Sequence, residues 1–325
     1  MNLPYGARLA SIAAASFFAV NLAAGAVSLA LERILRRRWN GCDPRRAAAI
    51  VLALRLGPGA LALAAVAVLC VPSFLVLEPA GTSESASLVC LVMATLGIAL
   101  TSGAAVRGLA AWLRSWRGFQ SLERSRETVR LPGRRVPIEI VESRRPLLAL
   151  VGVARPRLVA TRAVLRALRP AELDAALRHE RAHAVSRDNW KRLLLAMAPD
   201  LVPFAVRRRG LERSWARYAE RAADDRAVAG SARRSVALAA ALVRVARLGA
   251  AAPIPLAASL MGDAQDLEAR VERLLRGPLP ACNRTSPARL EWLWALASVA
   301  AAAAICATYP VLLATVHELL ERLMD

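Results

Sequence analysis

Four stretches, Leu9 to Leu31, Leu56 to Leu77, Ala86 to Val106 and Trp292 to Ala314, are each apolar over the roughly 20 residues that a helix needs to cross a hydrocarbon core of about 30 Å. Backbone N–H and C=O groups cannot stay unpaired in lipid, so runs of this kind must be helical. With 56% apolar side chains and a mean hydropathy of +0.38, the 325-residue chain is too hydrophobic for an ordinary soluble protein. The first stretch is followed by arginines rather than by a small-residue cleavage site, which predicts a retained anchor, not a signal peptide. Asn21, Gly57-Pro58-Gly59 at the start of the second stretch and Pro310 in the fourth interrupt the pattern. They read as kinks or helix contacts whose backbone groups are satisfied by neighbouring helices.

Charge between the stretches predicts an orientation. The loop from Glu32 to Arg46 carries six arginines against Glu32 and Asp43, whereas Glu78 to Ser85 carries only Glu78 and Glu84. The arginine-rich loop is therefore expected on the cytoplasmic side of the inner membrane, which puts the N- and C-termini outside and the long segment 107–291 inside. Trp112, Trp116, Trp292 and Trp294 fit an interfacial belt on that face. Of 45 basic residues only Lys191 is lysine, and the net charge is +20. That balance would suit nucleic acid or an anionic membrane surface. Arginines flanking apolar spans favour the lipid bilayer, and no nucleic-acid partner is expected. The five cysteines form no C-x-x-C pair, so they supply neither a disulfide framework nor a thiolate metal site.

The segment between the third and fourth spans is long enough for a core of its own. Val136 to Val141 alternates with period 2, and Pro146 to Ala160 holds two more short runs broken by Gly152 and Arg155-Pro156, which predicts a small sheet or hairpin. From Pro170 the period changes to 3.6, predicting a helix to about Arg187, a second over Asn189 to Ala198, a third from about Arg207 to Ala229, and two more before the last span. The expected fold is mainly α: spans over 9–31, 56–77 and 86–106 within residues 1–106, an α+β domain over 107–291, and a fourth span with a short tail over 292–325.

His179-Glu180-Arg181-Ala182-His183 lies on the first of these helices. Histidines at i and i+4 share one helix face, so both imidazoles can reach one zinc ion, with Glu180 placed to take a proton from a water at the metal. With only three histidines in the chain, chance would give H-E-x-x-H in roughly one shuffled sequence in a thousand. A third protein ligand is needed, and Glu220 is the candidate. Asp224, one turn further, can accept the other ring N–H of a ligand histidine. Alone, Glu220 and Asp224 would read as surface charges; after H-E-x-x-H they read as ligand and orienting group. Asp188 fits either a helix-end charge or a structural support beside the site. His317 lies beyond the fourth span and is expected to take no part.

At these residues the sequence resembles the gluzincin membrane metallopeptidases, most closely the BlaR/MecR sensor-transducers, with the HtpX and CAAX prenyl proteases next. Gly152 to Ala160 with Pro170-Ala171-Glu172-Leu173 is similar to that family's strand and helix start, Arg187-Asp188-Asn189 to the segment after the zinc motif, and Leu267 to Leu274 to its L-x-x-R-I-x-x-L helix. The resemblance implies that His179, His183 and Glu220 bind zinc, that Glu180 is the general base and that Asp224 orients a ligand. It also implies a zinc endopeptidase acting on a cytoplasmic repressor. Where family members often carry Cys, this chain has Ala223, which alters no ligand. The sensor-transducers continue into a penicillin-binding domain, whereas this sequence stops at Asp325. The expectation is therefore no direct β-lactam sensing, with any signal arriving through the spans, the 78–85 stretch or a partner sensor protein.

Three functions are compatible with this reading: a regulatory endopeptidase cutting a repressor-like cytoplasmic protein, a quality-control protease cutting membrane proteins, and a non-catalytic membrane scaffold. The short β-runs offer an edge on which an extended substrate could lie by strand addition.

Overall fold

The computed structural model describes residues 3–35, 43–78, 86–123, 126–129, 138–142, 146–199, 205–249, 258–259, 264–276 and 309–322. Three helical stretches in it are long and apolar enough to cross a membrane: Tyr5–Ile34, Pro44–Leu77 and Leu88–Gln120. They comprise α1 (Tyr5–Leu35), α2 (Pro44–Ala65) running through a π-helical turn at Val66–Cys70 into α3 (Val71–Leu77), and α4 (Leu88–Glu123). Most of the fourth expected span, 292–314, lies outside the described residues.

The helices outrun the hydropathy spans. The second begins at Pro44 instead of Leu56, and α4 continues to Glu123 instead of stopping near Val106. Hydropathy measures the apolar thickness alone, whereas a helix continues for as long as its backbone is capped and one face is covered. Here the Arg45 N–H is accepted by Asp43 Oδ1 at 2.8 Å, and Ala47, Val51 and Arg55 are buried. Gly57-Pro58-Gly59 thus falls inside α2. Pro58 has no N–H for the carbonyl four residues back, and the Ser28 hydroxyl donates to that Leu54 oxygen at 2.5 Å. Pro72 likewise releases the Val68 carbonyl, which accepts from the Tyr309 hydroxyl at 2.6 Å. Two glycines set the closest helix approaches. A Cβ at Gly97 would collide with the Ala14 carbonyl of α1, and one at Gly108 with the Met197 side chain.

The sheet has five strands in the order β1-β2-β4-β3-β5: β1 (Arg126–Val129), β2 (Ile138–Val141), β3 (Leu148–Val151), β4 (Arg157–Thr161) and β5 (Ala258–Ser259). β2 and β4 are parallel and the other pairs antiparallel. The three inner strands fall on the alternating run and the two short runs expected from sequence. Edge strands β1 and β5 were not, because one is polar and the other only two residues long. Ile138, Leu148, Leu158 and Ala160 face a helical layer, while Val141, Ala149, Val151 and Val159 form a second cluster with Phe119 of α4.

That layer contains α5 (Arg162–Ala167), α6 (Pro170–Ser186), α7 (Asp188–Met197), α8 (Ala205–Val228), α9 (Ala232–Arg247) and α10 (Ala264–Leu275). Pro170 opens α6, where a missing N–H costs nothing, and Glu172 Oε2 accepts the Arg169 N–H at 2.9 Å. One contact decides how the site sits. Val51 of α2 is buried in one cluster with Leu195 of α7 and Leu211, Trp215 and Ala219 of α8. The helices that carry the site therefore rest directly on the extension of a span. A last helix, α11, covers 309–322 and packs Leu320 against Ile12, Phe74 and Cys90 at the opposite end of the helices.

Candidate metal centre

The i, i+4 spacing on α6 puts His179 and His183 side by side and fully buried, with Nε2 atoms 3.1 Å apart. From α8, Glu220 Oε2 comes to 3.3 Å from His179 Nε2 and 3.6 Å from His183 Nε2. These three groups could hold a metal ion. Four ligands around an ion at about 2.05 Å stand about 3.3 Å from one another in a tetrahedron, and the three separations bracket that edge. Glu180 Oε1 is buried without a hydrogen-bond partner among the described residues. A buried carboxylate oxygen left in this way is costly unless a cation or water meets it. The donor set and its spacing thus fit a divalent ion.

Each ring is held from behind. His179 Nδ1 lies 2.9 Å from Asp224 Oδ1, and His183 Nδ1 lies 2.7 Å from Asp188 Oδ2. A carboxylate on Nδ1 fixes the tautomer that leaves Nε2 free for a metal. Asp188 reaches its place because Arg187 takes the left-handed conformation (φ 52°, ψ 41°), breaking α6 from α7 within one residue. Lys191 Nζ then donates to Asp188 Oδ1 at 2.9 Å. Asn189 Nδ2 donates to the carbonyls of Leu150 and Gly152, at 2.9 and 2.7 Å, and so ties the start of α7 to the end of β3. Leu150 also donates its N–H to Glu180 Oε2 at 3.1 Å, which fixes that carboxylate beside the histidines.

Sequence reading passed over Arg270, a member of the L-x-x-R helix. Its side chain is 3% exposed; Nε and Nη2 donate to the two oxygens of Asp224 at 2.9 and 2.7 Å, and Nη1 lies 3.2 Å from Glu220 Oε2. The signal was present in the spacing. Leu267, Arg270, Val271 and Leu274 form one stripe at i, i+3, i+4 and i+7, and an arginine inside an apolar stripe marks a buried partner. Arg192 Nη2 also reaches Glu220 Oε1 at 3.4 Å.

The electrostatics follow from four carboxylates around two imidazoles. Burial disfavours charged histidine, but the facing Asp224 and Glu220 outweigh it and raise the pKa of His179, while Glu220 and Asp188 raise His183 to about 10. Burial pushes Glu180 up to about 7 against the pull of the two histidines. Against burial, His183 and Arg270 hold Glu220 well below the carboxylate range, and Arg270 with His179 holds Asp224 at about 2. Asp188 is lowered by His183 and Lys191, again against burial. The pocket favours positive charge, and a metal ion and protons compete for the same imidazoles.

Glu78, His317 and Glu321 also come within ligand distance of one another, at the far end of the helices. There Glu78 Oε1 accepts from Arg8 Nη1 at 2.7 Å, and His317 Nε2 lies 3.3 Å from Glu321 Oε1. Neither His317 nor its neighbours approach the α6 site. In comparisons with known proteins, no protein-family model and no curated protein matches the chain.

Proposed function

We propose that this chain is an integral-membrane zinc metalloendopeptidase of gluzincin type that cleaves a cytoplasmic regulatory protein. The observation that carries the reading is the set of His179 Nε2, His183 Nε2 and Glu220 Oε2 at tetrahedral spacing beside the unpartnered Glu180 Oε1. Zinc matches two imidazoles and one carboxylate with a fourth position left open, and when bound it acidifies a water and polarises a peptide carbonyl. Glu180, anchored through Oε2 to the Leu150 N–H, accepts the water's proton at Oε1 and passes it to the leaving amine. Asp224 and Asp188 hold the two rings, and Arg270 holds Asp224 and Glu220 in place. The arginine-rich loop orients the site toward the cytoplasm, and the packing of α8 on α2 favours signalling, since movement of a span reaches Glu220 through one helix.

The test compares cytosolic and membrane proteomes of cells carrying wild type or Glu180→Gln. Accumulation of one DNA-binding regulator in the variant supports this reading. A broad accumulation of membrane proteins would assign the enzyme to quality control, as in the HtpX proteases. Zinc-free wild-type protein would leave a scaffold.

A further inference from the structure

α7 is amphipathic, with its polar groups turned inward and an apolar face turned out. Asp188 and Asn189 are buried at the metal centre and at β3, and Leu195 is buried against Val51 and Trp215. At 100° per residue, Trp190, Leu193, Leu194 and Met197 share the opposite side of the helix, within about 100° of arc. Trp190, Leu194 and Met197 are 44, 45 and 45% exposed, and Leu193 is partly buried. No charged residue interrupts that face. A helix side that met water would be polar, and a contiguous exposed apolar face marks a contact with something else.

The position of α7 says what covers this face. Arg55 is the last charged residue before the second apolar stretch, and Arg107 is the first after the third. Both donate to the Ala198 carbonyl, at 3.2 and 3.0 Å, so the C-terminal end of α7 is level with the border of two spans. Pro199 passes that border: a Cβ at Gly59, inside the second apolar stretch, would come within 2.9 Å of its Cδ. From there α7 runs back along α4, with Met197 against Gly108, and Arg192 and Arg114 lining one cavity. The exposed face thus rises about 10 Å from Met197 to Trp190, through the layer just outside the apolar core. On the neighbouring turns of α4, Trp112 and Trp116 are exposed and stacked, with centroids 6.0 Å apart. Trp190 adds a third exposed indole at the level that tryptophan favours in a bilayer. We infer that the Trp190, Leu193, Leu194 and Met197 face beds in the headgroup and upper acyl region of the lipid bilayer, as an interfacial helix does. The helix that sets Asp188 against His183 then ends in lipid about 15 Å further on. The inference stands on the exposed face and the spans and does not depend on the metal centre.

The test places the photocrosslinker p-benzoylphenylalanine at Trp190, at Leu194 or, as a control, at Val236 in the full-length protein, which is irradiated in phosphatidylcholine nanodiscs. Val236 is 57% exposed on α9, which packs on α6, α8 and α10. All three positions are exposed, so the variants fold, and Trp190 and Leu194 check one another. Intact mass should show the gain of one phosphatidylcholine from Trp190 and from Leu194, and no gain from Val236. A crosslink from Trp190 or Leu194 to the fourth apolar stretch, or to a second copy of the chain, would overturn lipid as the occupant. Equal lipid yield at Val236, or no adduct at Trp190 and Leu194, would overturn the bedding of α7.

Discussion

Replacing Arg270 by methionine keeps the length and apolar stem of the side chain but removes the only guanidinium that both oxygens of Asp224 accept from in the described residues. Buried Asp224 then loses the guanidinium it accepts from, while Glu220 keeps Arg192 and the two imidazoles. Breaking a buried pair by removing one partner costs about 3–5 kcal/mol, because the remaining charge stays desolvated. Part of this can be separated by pH. The pKa of Asp224 is depressed from 3.8 to about 2, so its contribution is fully present above pH 3.8 and is lost as pH falls toward 2. That shift corresponds to about 2–3 kcal/mol. The assay is thermal unfolding in detergent with chelator present, for wild type, Arg270→Met and Arg270→Lys, from pH 7 down to pH 3. At pH 7 the methionine variant should melt on the order of 10 °C lower. Lysine should fall between, since it keeps the charge without the fork. The gap should narrow through the acid window as wild type loses what the variant already lacks. A gap under about 1 kcal/mol at pH 7, or one that stays constant to pH 3, would refute the reasoning.

Two further outcomes follow from single side chains. In chelated protein the Glu180 carboxyl, raised from 4.5 to about 7, favours its protonated form, so its contribution to stability is present below pH 4.5 and lost as pH rises through 7. Glu180→Gln cannot ionise and should gain about 3 kcal/mol on wild type between pH 5 and pH 8 by melting; a pH-independent difference would sink the assignment of burial as the cause. Gly97→Ala should push α1 from α4 and cost about 1–3 kcal/mol, whereas Gly25→Ala, with open space around it, should be neutral or slightly stabilising. Equal effects would contradict the close α1–α4 crossing.

What could be read from the sequence was local. H-E-x-x-H fixes its own geometry through the i, i+4 relation, the β2 run declares itself by alternation, and β3 and β4 show as short apolar runs broken by Gly152 and Arg155-Pro156. Glu220 and Asp224 were legible only as an order of residues after that motif. Their reach to His179 depends on how α8 packs against α6, which no local pattern encodes. The same holds for the burial of α8 against α2. Hydropathy places a span's apolar middle but says nothing of the helical turns that continue beyond it, such as those of α2 from Pro44 and of α4 to Glu123. Strand β5 has too few residues to carry a period. Arg270 was legible in principle, as a charge at a stripe position, and was passed over because an arginine in an arginine-rich helix reads as surface.

The central claim is that two imidazoles and one carboxylate hold zinc, and zinc K-edge absorption on the full-length protein, loaded and then desalted, tests it directly. The account predicts one retained zinc per chain, four-coordinate, with nitrogen and oxygen at about 2.0–2.1 Å and two imidazole signatures, falling to one in His183→Ala. Loss of zinc on desalting, a sulfur shell at about 2.3 Å or six-fold coordination would contradict it.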